Sequence, residues 1–232
     1  MNILHGFADC GVEGEALSVY GDVVRATINP RENTHSDVLM ADLSRPDDLP
    51  FEEGQFDLAV MHPPCTAYSD MPDANKDGDA PRLIPEAREI GQRFADHYIV
   101  ENKPSAPLND AVVLEGRMFG LPIQYARAFE TSFDVDQPPR NARLGEPPET
   151  SPFFFSERST SWWRAAKGGV RGDYPKQHIA KNSIPLPYIH HLCRAWMDAT
   201  EASAGVADYS DYDAQMDEKR ARAENSEIGD FA

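Results

Sequence analysis

The chain has 232 residues, 41% of them hydrophobic, enough for one sizeable core and a small appendage rather than two full domains. Its charge is lopsided. Thirty-nine acidic against 22 basic side chains give a formal net charge of −17, whereas a nucleic-acid enzyme at moderate salt is ordinarily neutral or basic. Either the partner is not nucleic acid, or the protein works at high salt, where screening is nearly complete and an acidic surface keeps it soluble. The bases favour the second reading, since 16 are Arg and six are Lys, a balance that fits a halophile or its virus. No apolar run approaches the ~20 residues of a membrane span. The start, Met1 to Gly6, lacks the basic flank and apolar stretch of a signal peptide, so a cytoplasmic protein is expected. Cys10, Cys65 and Cys193 are odd in number and far apart, which argues against a disulfide framework. They form no Cys-x-x-Cys pair, so no metal site is expected from them.

In chain order, residues 2–8 read as a short buried strand, followed by a turn, Asp9 to Gly14, into a helix through about Tyr20. Val23 to Ile28 is a second strand, ended by Asn29-Pro30. Asp37 to Met40 is a third, and Phe56 to Met61 a fourth, stopped by Pro63-Pro64. Leu83, Ala87, Ile90 and Phe94 have helical spacing within Arg82 to Ala95, and His97 to Val100 reads as the next strand. Strands alternating with helical segments predict a doubly wound α/β sheet of parallel crossover units, with ligands at the carboxyl ends of its strands. Residues 134–175 are rich in Pro and Gly and carry Phe153-Phe154-Phe155 and Trp162-Trp163. From Glu157 through Lys181 six bases face two acids, a local net charge of +4. Aromatics interleaved with Arg can stack on bases and follow phosphates, or can form a small satellite core. Tyr188 to Ala199 reads as a helix, on which His190, His191 and Cys193 are packing residues rather than metal ligands. The acidic stretch from Glu201 to Ala232 has few large apolar groups and is expected to be disordered.

Two polar clusters carry the chemistry. A strand that delivers Pro63-Pro64-Cys65 onto a stiffened loop presents a thiol, whose thiolate is a soft nucleophile suited to an electron-poor pyrimidine ring. Tyr98 to Pro104 places Glu101 at the end of the next strand, where a carboxyl group could hold a ring nitrogen and an exocyclic amine and assist attack as a general acid. Taken singly, Cys65 could be a small core residue and Glu101 a turn cap.

Together, Pro63-Pro64-Cys65 and Glu101-Asn102 resemble the catalytic motifs of the cytosine-5 DNA methyltransferase family. The segments His62–Ser69, Val100–Leu108 and Val113–Leu121 are similar to its compact phage and bacterial branch, and the acidic composition would suit a haloarchaeal virus. Arg127 to Phe133 resembles the strand with the family's catalytic arginine, and Asn182-Ser183-Ile184-Pro185 its final motif, which leads into a helix beside the cofactor. The resemblance implies a Rossmann-like methyltransferase sheet using S-adenosyl-L-methionine, with double-stranded DNA as partner and a monomeric chain. By it, Cys65 attacks carbon 6 of a flipped cytosine, Glu101 acts at ring nitrogen 3, and Arg127 orients the base. Phe7, Asp9, Gly11, Asn29, Asp42, Leu43, Pro63, Asn182 and Ser183 would line the cofactor site. The pattern departs from the family in three places. Asp9 stands for a glycine of Phe-x-Gly-x-Gly, Thr27 for the acid at the end of the second strand, and Tyr125-Ala126 for an Arg-His pair.

The implied organisation is a catalytic core over 1–133, a small irregular recognition region over 134–176, a returning motif and helix over 177–199, and an acidic tail over 200–232. The altered cofactor loop keeps a second reading open, a degenerate nucleic-acid-binding module derived from such an enzyme. An adenine amino-methyltransferase would need an aromatic residue where Cys65 stands. An unrelated thiol hydrolase would need a histidine facing the thiol, and His62 is expected on the other side of the loop. Protection of viral DNA against host restriction is the biological role this reading suggests.

Overall fold

The computed structural model describes residues 1–31, 36–69, 78–140 and 150–200; the expected acidic tail from Glu201 onward lies outside them. Seven strands form one sheet: β1 (Asn2–Gly6), β2 (Asp22–Thr27), β3 (Asp37–Met40), β4 (Phe56–Met61), β5 (Ala95–Asn102), β6 (Val112–Leu114) and β7 (Arg127–Thr131). Their order is β3-β2-β1-β4-β5-β7-β6. The first five are parallel, and β7 is inserted antiparallel between β5 and β6. This is the doubly wound, Rossmann-like sheet expected for an S-adenosylmethionine-dependent methyltransferase. From β1 the chain builds outward through β2 and β3, then returns to the other side of β1 with β4. Adjacent strands β1 and β4 therefore lead off in opposite directions, which opens a crevice at their carboxyl ends.

The central strands are continuous apolar runs because both faces of the sheet are covered. Alternate residues go to different cores. Ile3, Leu58, Val60 and Ile99 join one cluster, and Leu4, Ala59, Met61 and Val100 join the other, as the two-residue period of a strand requires. The helix α2 (Ile84–Phe94) covers the second face with Ile84, Ala87, Ile90 and Phe94. The first face is covered by α1 (Gly14–Leu17), α3 (Thr160–Ala166), α4 (Lys176–Lys181) and α5 (Leu186–Ala199). Among the described residues no helix is long and apolar enough to cross a membrane.

Several elements differ from the sequence expectation. The helix expected through Tyr20 is a single turn, because the chain must reverse at once: the Asp22 amide already bonds to Met1 O at 2.8 Å to begin β2. No α-helix joins β2 to β3 or β3 to β4 among the described residues, only a 3₁₀ turn at Pro46–Asp48. The stretch expected to be irregular contains a 3₁₀ segment, Pro152–Glu157, and the helix α3, and a further short helix, α4, begins at its end. Two serines start the first two of these, Ser151 accepting from the Phe153 amide and Ser159 from the Trp162 amide. Trp162 and Trp163 are buried in the larger core, whereas Phe153 and Phe154 are exposed.

The antiparallel strand is anchored to α2 by one carboxylate. Glu130 accepts Arg88 Nε at 2.6 Å and Nη2 at 2.8 Å, and also the Asn109 amide at 2.8 Å. Burial would raise its pKa, but the Arg88 hydrogen bond and the Asn109 amide outweigh this and hold it below the ordinary value. A depressed folded-state pKa adds stability above the unfolded pKa, and that contribution is lost as pH falls through the folded value. Glu130→Gln should therefore lower stability by about 1–3 kcal/mol near neutral pH. The gap should close on acidification well below ~4.3, as read by urea melts of both proteins.

Candidate active site

At the β1–β4 crevice lies a cavity of about 680 Å³, within the ~300–1,000 Å³ typical of small-molecule sites. Its wall is made by loops that leave the carboxyl ends of β1, β2, β3, β4 and β5, by the start of β7, and by the end of α4. Cys65, Glu101 and Arg127 all line it, from β4, β5 and β7 in turn. So do Phe7, Asp9, Gly11, Asn29, Asp42, Leu43, Pro63 and Asn182. Ser183 stays behind the wall, fully buried, with its hydroxyl donating to Ile179 O at 2.6 Å and its carbonyl accepting from Lys167 Nζ at 2.6 Å.

The Pro63-Pro64-Cys65 loop is fixed from beneath. Asn102, the last residue of β5, donates through Nδ2 to Pro63 O at 3.0 Å and accepts the Lys103 amide at 2.9 Å. Lys103 Nζ donates to Ser69 Oγ at 2.7 Å, and Ser105 Oγ to Tyr68 O at 2.9 Å. Cys65 is half-buried, with φ −94° and ψ 0°, in the sparsely allowed bridge region where many active-site residues sit.

Beside the thiol is a cluster of buried charge. Arg127 Nε lies 3.3 Å from Glu101 Oε1, and His62 Nδ1 lies 3.1 Å from Glu101 Oε2. Burial alone would raise the Glu101 pKa, but Arg127 and His62 overcome it and hold the carboxyl below its ordinary value. Burial likewise disfavours the Arg127 guanidinium, yet Tyr125, Glu101 and Cys65 keep its pKa above normal. His62 is also raised, its burial outweighed by Glu101 and Glu13.

Tyr125 is packed between two cations, with the Arg127 guanidinium 4.6 Å and Lys167 Nζ 3.2 Å from its ring centroid. Its hydroxyl accepts from Arg127 Nη2 at 2.8 Å and donates to Lys181 O at 3.2 Å. The substitution for the expected Arg-His pair thus supports Arg127 from behind. Lys167 is fully buried, and burial followed by the charge of Arg127 pushes its pKa well below the ordinary value. The sequence counted Lys167 only among the six bases of the aromatic and basic stretch that could follow phosphates; its full burial just after α3 removes it from that surface. Glu13 was missed too; it faces the cavity, and its Oε1 accepts the Ile184 amide at 2.6 Å.

Two of the departures from the family pattern, Asp9 and Thr27, meet in the structure. Thr27 ends β2, and its hydroxyl donates to Asp9 Oδ1 at 3.0 Å. Asp9 therefore returns a carboxylate to the strand end where Thr27 lacks one. The loop is held to β2 by fully buried Arg25, which donates to Asp9 O at 2.9 Å and to Arg31 O. Phe7 has φ 59° and Gly11 φ 60°, so the chain passes through two left-handed residues to bring Asp9 there. A left-handed phenylalanine is strained, and such strain collects at functional sites. Asp42 accepts from the Ser44 amide at 3.0 Å and its hydroxyl at 2.7 Å through Oδ1.

Comparison with known proteins gives no match to a protein-family model and none to a curated protein. Solved structures with similarity include a DNA modification methyltransferase encoded within an E. coli prophage, at 16% identity and TM-score 0.41 over 64% of this chain and 56% of that one. The Entamoeba histolytica methyltransferase EhMeth is 10% identical with TM-score 0.44, covering 85% of this chain and 98% of that one. The S. pombe Dnmt2 methyltransferase is 15% identical with TM-score 0.38, covering 68% and 55%. The chain thus spans little more than half the length of the first and third. Values this low carry no inference about activity.

The pinning of the thiol loop is open to direct measurement. Asn102→Ala leaves the buried Pro63 carbonyl without its donor, and stability should fall by about 1–3 kcal/mol. Faster amide exchange confined to the residues around Cys65 would show the loop released.

Proposed function

We propose that the protein is a DNA cytosine-5 methyltransferase using S-adenosyl-L-methionine. The observation that supports this most is the meeting of Cys65, Glu101 and Arg127, from three neighbouring strands, in the cavity that Phe7, Asp9 and Asp42 also line. The histidine nearest Cys65 in sequence, His62, engages Glu101 through Nδ1, which favours this reading over a thiol hydrolase.

The residues present suit a nucleoside-bearing methyl donor. Asp9, steadied by Thr27, offers a carboxylate for ribose hydroxyls, a charge-assisted pairing. Asp42 and Leu43 would hold the adenine ring, and Phe7 and Asn182 line the same cavity. S-adenosylmethionine bound there would supply an electrophilic methyl group for carbon 5.

The chain's own side chains do the rest. A cytosine in a stacked duplex cannot reach Cys65, so the base must enter the cavity flipped out. The Cys65 thiolate adds to carbon 6, forming an S–C bond, and the electron density displaced from the carbon 5–carbon 6 double bond passes toward carbon 5 and nitrogen 3. A proton shared between Glu101 and nitrogen 3 stabilises that density, and Arg127 orients both Glu101 and the base. After carbon 5 has gained its substituent, loss of its hydrogen as a proton restores the double bond and expels the Cys65 thiolate.

The exposed pair Phe153 and Phe154, 5.0 Å apart and edge-to-face, offers a stacking surface for bases. Lys181 sits 4.5 Å and Lys176 5.8 Å from the Phe155 ring, so cations lie close to the same aromatics. Because the chain as a whole carries a net charge of −17 that repels phosphate, double-stranded DNA would be bound through this local patch.

Tritiated methyl transfer from S-adenosylmethionine to DNA, at low and multimolar salt, tests the reading. Wild type should place label in 5-methylcytosine and Cys65→Ala should place none; label that survives in Cys65→Ala, or no label at any salt, would refute it. Asp9→Ala should weaken S-adenosylhomocysteine binding by about tenfold or more, as expected for losing a charge-assisted hydrogen bond of ~1.5–3 kcal/mol. Calorimetric titration reads that change without requiring turnover.

A further inference from the structure

We propose that His5, Glu13 and His62 form a binding site for a divalent first-row transition-metal ion of the zinc class. One ligand atom from each lies within 4.8 Å of the others, and His5 Nε2 is 3.8 Å from Glu13 Oε2. Zinc–ligand distances of ~2.0–2.2 Å set ligand atoms roughly 3.4 Å apart in a tetrahedron, so a closure of about an ångström would bring the three into coordination. Two imidazoles and a carboxylate are a donor set that suits such ions.

The second observation is an unmet demand for partners. His5 is fully buried, yet neither of its ring nitrogens has a hydrogen-bond partner among the described residues, and His62 Nε2 has none either. Buried imidazole nitrogens are costly to leave unmade, and one nitrogen from each ring falls in the group with the Glu13 carboxylate. The two rings meet edge-to-face with centroids 5.0 Å apart.

The surroundings orient these atoms as the outer shell of a metal site does. His62 gives Nδ1 to the Glu101 carboxylate at 3.1 Å, which leaves Nε2 for the ion. Glu13 engages Oε1 with the Ile184 amide at 2.6 Å, which leaves Oε2. The backbone is set as well: β1 and β4 pair in parallel with Gly6 opposite Met61, and the His62 amide donates to Gly6 O at 3.0 Å. Glu13 and His62 both line the cavity, which is the side from which an ion and a fourth ligand would enter. Three protein ligands with one open position is the pattern of a reactive rather than a purely structural site. The ion would lie one histidine away from Glu101.

Untagged, full-length protein stripped with a chelator is titrated with Zn²⁺ by calorimetry, and with Co²⁺ by visible absorption. Excess Mg²⁺ is kept present to occupy exposed carboxylates. The expected result is one equivalent bound, with intense cobalt bands of low coordination number. Glu13→Gln keeps the acceptor for Ile184, and with His5→Asn it should weaken binding about 100-fold or more, beyond the 10–100-fold typical of outer-shell losses. Circular dichroism confirms that each variant is folded. Failure of wild type to bind one equivalent, or equal affinity in folded Glu13→Gln, would overturn the site. Neither readout depends on methyl transfer.

Discussion

A carboxylate taken out of water must be met by opposite charge or by hydrogen bonds, and Glu101 is met by both, Arg127 on one oxygen and His62 on the other. Those two partners arrive from different strands. Satisfying Glu101 therefore fixes how the ends of β4, β5 and β7 stand relative to one another. The antiparallel insertion of β7 is what makes this work: it runs back from β5 so that its first residue, Arg127, lies near the last turn of β5, with Asn102 opposite Ala128. A parallel strand in that place would have carried Arg127 to the far end of the sheet.

Beneath this pair lies a further layer of buried polar groups, Lys167, Tyr125, Glu13 and His5, drawn from α3, the loop before β7, the turn after β1, and β1 itself. Each is held by contacts across long sequence distances, such as Lys167 to Ser183 O and Glu13 to the Ile184 amide. The segment before α5 is thereby bonded directly to the floor of the cavity. Such a network is costly when partly satisfied and rigid when complete. The unpartnered nitrogens of His5 and His62 are its open edge.

The loop after β1 follows a different logic. Asp9 occupies a position where an unsubstituted backbone was expected, and Thr27 a position where an acid was expected. Through the Thr27–Asp9 hydrogen bond the two changes read as one exchange, in which the carboxylate has moved from the strand end to the neighbouring loop. Arg25 holds that loop from below through backbone carbonyls rather than through the carboxylate, leaving Asp9's second oxygen free of Arg25.

The sequence by itself located β1 to β5, while β6 was not read from it and the β7 segment was marked only by the family resemblance. β3 and β4 span Asp37–Met40 and Phe56–Met61, the bounds that their apolar runs and flanking Pro and Asp predict; β4 is legible because a doubly covered strand advertises itself as an unbroken apolar stretch, whereas β3 is a largely exposed edge strand. It also located Cys65 and Glu101, since each follows directly from a readable strand end. Short helices were not legible: α3 and α4 are seven and six residues long, too short to show a period and set among Pro and Gly that mask them. Only the tertiary structure decided which way β7 runs, that Trp162 and Trp163 enter the main core while Phe153 and Phe154 face outward, and that Asp9 reaches Thr27. Nor could spacing reveal His5, Glu13 and His62 as neighbours. They lie on β1, in the turn after it, and just beyond β4, and parallel pairing of strands more than 50 residues apart is a long-range choice made by the sheet as a whole, not by any local pattern.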